Sequence, residues 1–428
     1  MVCGLKGVDL VDRNENRAGY KKTKVGWIPE EWDIEPLNKV ATVQTGLAKG
    51  KKNIKDSVSL PYLRVANVQD GFLHLENIKK INVEKTKLKR YLLQKGDVLF
   101  TEGGDFDKLG RGTIWNGEIN QCLHQNHIFA VRCNRPRIQP YFLSIIAAGP
   151  LGRRYFLLSS KQSTNLASIN TRQLKSFPLP LPPLSEQKKI AEILSTWDKA
   201  IDQTRKLIIA KTRMKKALMQ QLIPYYGCKI KEQKSKWTLK KLGELIQPVS
   251  RPTPKPDKPY LSIGIRSHGK GTFQKMINEP EQIMMDTLYR IKEDDLVVNI
   301  TFAWEGAIAI ANEQDSDGLV SHRFPIYRIK RSVADLEYVK NLIHTKRFIW
   351  DLGLISPGGA GRNRVMNKSD FLKIQVFVPP LENQKYIGQI LSKAEKDINV
   401  SKAFLYSLEK QKRGLMQKLL TGEIRVKV

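Results

Sequence analysis

Between residues 387 and 419 the chain repeats an alternation of steps of four and three. Positions 387, 391, 394, 398, 401, 405, 408, 412, 415 and 419 form the ladder, and eight are apolar: Ile387, Leu391, Ala394, Ile398, Leu405, Leu408, Leu415 and Leu419. Displaced back by 197 positions, the same ladder reads Ile190, Leu194, Trp197, Ile201, Ile208, Leu218 and Leu222. Polar interruptions coincide too, Thr204 with Ser401 and Lys215 with Lys412. A seam recurring every ~3.5 residues is a coiled-coil seam. Each ladder follows an extended proline-rich run, 177–183 or 376–380, so the helices are expected to start near Ser185 and Glu382. Helices of about 35 residues are longer than ordinary core helices. Two such seams most simply bury each other, with the second helix antiparallel to the first.

The match extends beyond hydrophobicity. Over 182–222 against 379–419, 16 of 41 positions are identical without a gap. This is a tandem duplication of a unit of about 200 residues. Elsewhere only anchors agree: Trp32 with Trp237, Pro61-Tyr62-Leu63 with Pro259-Tyr260-Leu261, Asp97 with Asp295, His127 near His322, Tyr141 with Tyr338, and Asn170 with Asn367. Short β-type runs (60–66, 97–101, 128–132, 295–300, 307–311) alternate with glycine-rich turns, and helical patches lie at 140–148 and 336–351. The expected fold is mixed α+β: two globular domains joined by two long antiparallel coiled-coil helices, related by a pseudo-two-fold internal repeat. Expected boundaries are 1–183 and 227–380 for the globular domains, 184–226 for the central helix, and 381–428 for the C-terminal helix and tail.

Charge adds the partner. The chain has 428 residues, a net charge of +31 and a pI near 9.9, with a globular balance of 41% hydrophobic and 27% charged residues. The helices hold only +5 (185–223) and +4 (382–419), so most of the charge lies on the globular domains. Such a surface suits phosphate polyanions. The longest uncharged stretch, 138–152, has 15 residues and two prolines, too short and too broken for a spanning helix. The N-terminus lacks a secretory pattern, and four cysteines cannot form a dense disulfide framework, so a cytoplasmic location is expected.

No catalytic constellation emerges. Gly46-Leu-Ala-Lys-Gly-Lys51-Lys52 lacks the phosphate-loop spacing. Asp257-Lys-Pro-Tyr260 faintly resembles the catalytic loop of amino-methyltransferases, but Lys258 stands where the first proline belongs. Cys122, His124, His127 and Cys133 match no zinc spacing and read better as one alternating strand. No metal site and no cofactor in this chain are expected. Candidate DNA-binding residues are basic and amide side chains in loops: Lys49, Lys51, Lys52, Arg64, Asn67, Gln69, Arg111, Lys161, Gln162, Thr164 and Asn165 in the first half. In the second they are Arg266, His268, Lys270, Arg323, Arg362, Asn363 and Arg364. Arginine reads guanine bidentately, asparagine and glutamine read adenine, and lysine neutralises phosphate. The rival to a binding subunit is a self-sufficient methyltransferase or nuclease with an unrecognised site.

A family resemblance joins these readings. It is carried by Gly26-Trp-Ile-Pro-Glu-Glu-Trp32, residues 60–68 and 96–101, the entry 178–191, and Leu415-Met-Gln-Lys-Leu-Leu-Thr-Gly-Glu-Ile-Arg425. The chain resembles the specificity subunit of type I restriction–modification enzymes. That resemblance implies two target recognition domains, each reading half of a bipartite DNA site, and helices that set the gap between the halves. Further implied are two modification subunits using S-adenosylmethionine to methylate adenine N6, and restriction subunits using ATP and magnesium. The departure is Leu222-Ile-Pro-Tyr-Tyr-Gly, where the second helix ends in Leu-Leu-Thr-Gly.

Overall fold

The computed structural model describes residues 14–48, 56–104, 109–110, 112–162, 167–223, 236–359 and 364–428. Packing divides the chain into two compact units, Met1–Gln203 with Leu405–Val428, and Thr204–Phe404. Each unit combines one β-rich domain with part of both long helices. The sequence boundaries assigned each helix its own segment, whereas packing shares both helices between the units.

The first unit holds a four-stranded antiparallel sheet in the order Ala41–Thr45, Ile128–Cys133, Val98–Thr101, Gly112–Ile114. The second repeats it as Ile246–Val249, Ile326–Ile329, Asp295–Val298, Ile308–Ile310. A second sheet also recurs, three-stranded as Leu123–His124, Ser57–Leu63, Lys79–Glu84 and five-stranded in the other unit. Each contains one parallel pair, Leu123–His124 with Ser57–Leu63 and Leu319–Val320 with Tyr260–Ile265. Topology thus persisted where sequence drifted.

The anchor Asp97/Asp295 explains itself. Each carboxylate is buried at the start of a central strand. Asp97 accepts from Arg132 Nε and Nη2 (both 2.8 Å) and from Gln94 N (2.8 Å). Asp295 accepts from Arg251 Nη1 (2.7 Å) and Lys292 N (2.8 Å), and its other oxygen lies 3.0 Å from Arg328. A buried carboxylate stays charged only with such partners.

Helical details correct two expectations. The patch expected over 336–351 is two helices, Leu336–Leu342 and Lys346–Leu354, because the Thr345 hydroxyl caps the second by accepting from Phe348 N. This break matches that between Pro140–Ala148 and Pro150–Ser159. The first helices of these pairs begin after Gln139 and Asp335, so the fully buried Phe142, not Tyr141, occupies the place of Tyr338.

The long helices are Leu184–Leu222 and Leu381–Leu420, of 39 and 40 residues, and they pack together. Along the seam Ile190, Leu194, Ile201, Ile387, Leu391, Ile398 and Leu419 are buried. Trp197, Ile208, Leu218, Leu222, Ala394, Leu405, Leu408 and Leu415 are half-buried. Antiparallel pairing places Lys412 on Asp198 in the first unit and Lys215 on Glu395 (2.6 Å) in the second. The identical glutamine of the two helix entries ties helix to domain twice. Gln187 accepts from Gln139 N (3.1 Å) and donates to Arg137 O (3.0 Å) and Pro182 O (2.9 Å). Gln384 accepts from Asp335 N (3.0 Å) and donates to Val333 O (3.2 Å) and Pro379 O (3.0 Å).

The C-terminal tail completes the first unit. Gly422 has φ of 72°, and a Cβ there would meet Pro29 Cγ at 2.4 Å. Arg425 Nε reaches Glu186 (2.8 Å), whose carboxylate also accepts from Trp32 Nε1 (3.1 Å). Three residues of the resembling motifs therefore meet in space.

Candidate nucleic-acid interface

In each unit three distant segments meet at the end of the central sheet. Glu102 N donates to His127 O (2.9 Å), and Ile169 N donates to Glu102 O (2.7 Å). The second unit repeats this junction with Ile300 N to Arg323 O (3.1 Å) and Met366 N to Ile300 O (2.9 Å). Arg323 therefore stands where His127 stands, which replaces the sequence match of His127 with His322.

Around the first junction, the strand Lys161–Gln162 pairs with Ala167–Ser168, which pairs with Gly103–Gly104. Lys161 and Gln162 are exposed there, and the Gln162 amide donates to Leu157 O (3.0 Å). The exposed His127 ring contacts the Glu102 carboxylate. Gln125 N donates to Leu63 O (2.9 Å), which brings the loop beginning at Arg64 beside this edge. Within that loop Asn67 is buried, its amide donating to His74 O (2.9 Å) and accepting from Arg64 N (2.9 Å). Its amide organises the loop and leaves little edge for a base. Arg64 donates to Asn77 O (2.9 Å) and Gln69 to Ala66 O (2.9 Å), so both also shape the loop.

At the second junction Arg323 is exposed, with Nη1 3.5 Å from Thr301 Oγ1. Arg364 donates to Ser356 O (3.1 Å) and Gly353 O (2.8 Å), and its guanidinium lies 5.0 Å over Trp304. It closes the end of the helix Lys346–Leu354. The turn after Tyr260–Ile265 carries His268 and Lys270, both exposed. It is held by His268 N to Glu305 O (2.8 Å) and Ser267 Oγ to Glu305 Oε2 (2.7 Å), with His268 left-handed at φ 62°. Arg266 packs 5.1 Å over Phe273 and donates to Thr272 O (2.8 Å). Lys49, Lys51, Lys52, Arg111, Thr164, Asn165, Arg362 and Asn363 lie outside the described residues.

The geometry thus gathers Lys161, Gln162, His268, Lys270 and Arg323 at exposed places and turns Asn67 and Arg364 inward. Sequence reading missed Glu102, Thr301 and Trp304, which sit at the junctions but carry no motif; only their position just past a central strand could have flagged them. Other chemistry is weak here. Burial pushes the Cys122 thiol up to about 12 and His124 down to about 4, with His124 Nδ1 on Ile128 O (2.9 Å). These are core groups. Among the described residues no cluster of His, Cys, Asp or Glu could hold a metal ion, and no helix is long and apolar enough to cross a membrane.

Comparison with known proteins follows the repeat. Residues 29–211 and 234–410 each match the family described as Type I restriction modification DNA specificity domain. The chain is similar to a provisionally named MjaX specificity subunit of Methanocaldococcus jannaschii, 27% identical over 427 residues (95% of this chain, 97% of that one). The MjaVIII specificity subunit of the same organism is 26% identical, covering 94% of both chains. The EcoBI specificity subunit of Escherichia coli is 30% identical over 171 residues, 38% of this chain and 34% of that one. Two solved structures share the fold. One comes from work on complex assembly and conformational transition of a type I system (TM-score 0.55, 15% identity, 93% and 99% covered). The other is the S subunit from M. genitalium (TM-score 0.54, 13% identity, 91% and 96% covered).

Proposed function

The chain belongs to the type I restriction–modification DNA specificity family, and from that premise we propose that each unit reads one half of an asymmetric bipartite site in double-stranded DNA. As a member it is the non-catalytic specificity subunit. The observation that carries the reading is the repeated junction: one set of backbone bonds occurs twice, but presents the exposed His127 in one unit and the exposed Arg323 in the other. Equal scaffolds with unequal polar side chains suit two different half-sites. The net charge of +31 supplies phosphate affinity for both.

The paired helices set the unread spacer and dock two modification subunits. Those partners bind S-adenosylmethionine and methylate adenine N6, and restriction subunits add ATP- and magnesium-dependent cleavage. The test is a genome-wide map of N6-methyladenine in the source organism with and without this gene. Loss of one asymmetric bipartite motif, methylated on both strands, is expected. An unchanged map from a locus that expresses both this chain and its modification subunit would overturn the reading.

A further inference from the structure

Two units that read different half-sites should share, at exposed positions, only what serves something common to both. Among the described residues most exposed large apolar side chains have no exposed apolar counterpart in the other repeat. Three pairs do: Leu158 with Leu354, Leu207 with Phe404, and Ile209 with Tyr406. The last two lie on the long helices. The first lies on the β-rich domains, away from any helix seam.

Leu158 and Leu354 occupy one position of the repeated fold. Each follows a buried core residue by two places, Phe156 and Leu352, on the second helix of the short pair in its unit. Two helical steps turn a side chain by about 200°, so packing of the first residue directs the leucine outward. The two leucines are 74% and 61% exposed, and burial does not account for them. Their surroundings point to protein. In the first unit Leu158 borders a cleft of about 310 Å3 with Trp27 and Tyr155, rimmed by Lys22, Lys24 and Arg154 together with Glu15. In the second, exposed Trp350 sits one turn before Leu354, with the Arg347 guanidinium 4.5 Å over its ring. Apolar anchors among Trp, Tyr and Arg are the composition of interface hot spots. Phosphate recognition would need the cations without the leucine.

We infer that Leu158 and Leu354 anchor two equivalent docking surfaces on the β-rich domains, each taking one copy of the same protein partner, the modification subunit. The partner surface presents an apolar pocket that receives the leucine. This rests on the function proposed above, and it extends docking from the helices onto the domains.

The experiment uses the full chain with its modification subunit. Leu158→Asp, Leu354→Asp and the double variant are compared with Leu158→Ala and Leu354→Ala by native mass spectrometry. Binding of the chain alone to non-specific duplex DNA is the control. Each single aspartate variant is expected to weaken one of two docking events by at least about tenfold, leaving a one-to-one complex, and the double variant to lose both. DNA binding by the chain alone should be unchanged, which also reports intact folding. Full two-to-one assembly by the double variant would overturn the inference, as would a selective loss of DNA binding with assembly retained. If the native chain captures no modification subunit, the functional reading itself fails.

Discussion

Gln187 and Gln384 each satisfy one domain N–H and two carbonyls from within a helix that starts three residues earlier. Their amides are buried, so a leucine of similar size would leave three backbone groups unpaired. At about 1 kcal/mol or more for each buried orphan, Gln384→Leu should destabilise the second unit by roughly 3 kcal/mol. Hydrogen exchange would read this locally as loss of protection at the Asp335 and Tyr338 amides, with the first unit unchanged. Uniform protection after the substitution would show that the glutamine is dispensable. The residue was visible in the sequence as one of the identities of the repeat. Its role was not, because all six bonds reach backbone groups of other segments or of the entry turn. The candidate DNA-binding residues show the converse. Asn67 looked like a base reader by type, yet burial decided that it holds a loop.

At the scale of elements, the apolar seam repeats every heptad and so cannot by itself choose among registers one heptad apart. The polar pairs can. Asp198 to Lys215 and Glu395 to Lys412 are equal separations, so Lys412 with Asp198 and Lys215 with Glu395 belong to one antiparallel register. A slip of one heptad would set these lysines against Arg205 and Lys402, or against Ala191 and Gly388, with no carboxylate. Burial alone would raise the Glu395 carboxyl, but the hydrogen bond and charge of Lys215 outweigh it and hold the group below its ordinary range. A double-mutant cycle with Lys215→Ala and Glu395→Ala should give a coupling of about 1 kcal/mol, since the pair is only partly buried. The coupling is full above the ordinary carboxylate range and fades as pH falls through the depressed value. A coupling indistinguishable from zero at neutral pH and low salt would remove the pair from the register argument.

For the whole molecule, the proposed function makes helix length a determinant of the DNA site. Inserting one heptad into each helix, after Ile208 and after Leu405, keeps both lysine pairs in register and adds about 10 Å of helix. The methylated motif should then keep both half-sites and gain about three base pairs of spacer, at roughly 3.4 Å each. Mapping N6-methyladenine in cells that carry the lengthened chain checks this. A changed half-site, or an unchanged spacer, would count against the helices as the measuring element.

The duplication, the two long helices, their seam and the basic character of the chain were written in the sequence alone. Periodicity, identity at a fixed offset and charge are local or additive properties, so they survive without coordinates. Tertiary structure alone decided which of the candidate residues are exposed and which are turned into the core. The junctions of Glu102 with His127 and Ile169, and of Ile300 with Arg323 and Met366, join residues 23 to 67 positions apart through backbone bonds that any side chain permits. Because those bonds ask nothing of residue type, the domains drifted in sequence while keeping one topology. The exposed positions they present were left free to differ between the two units.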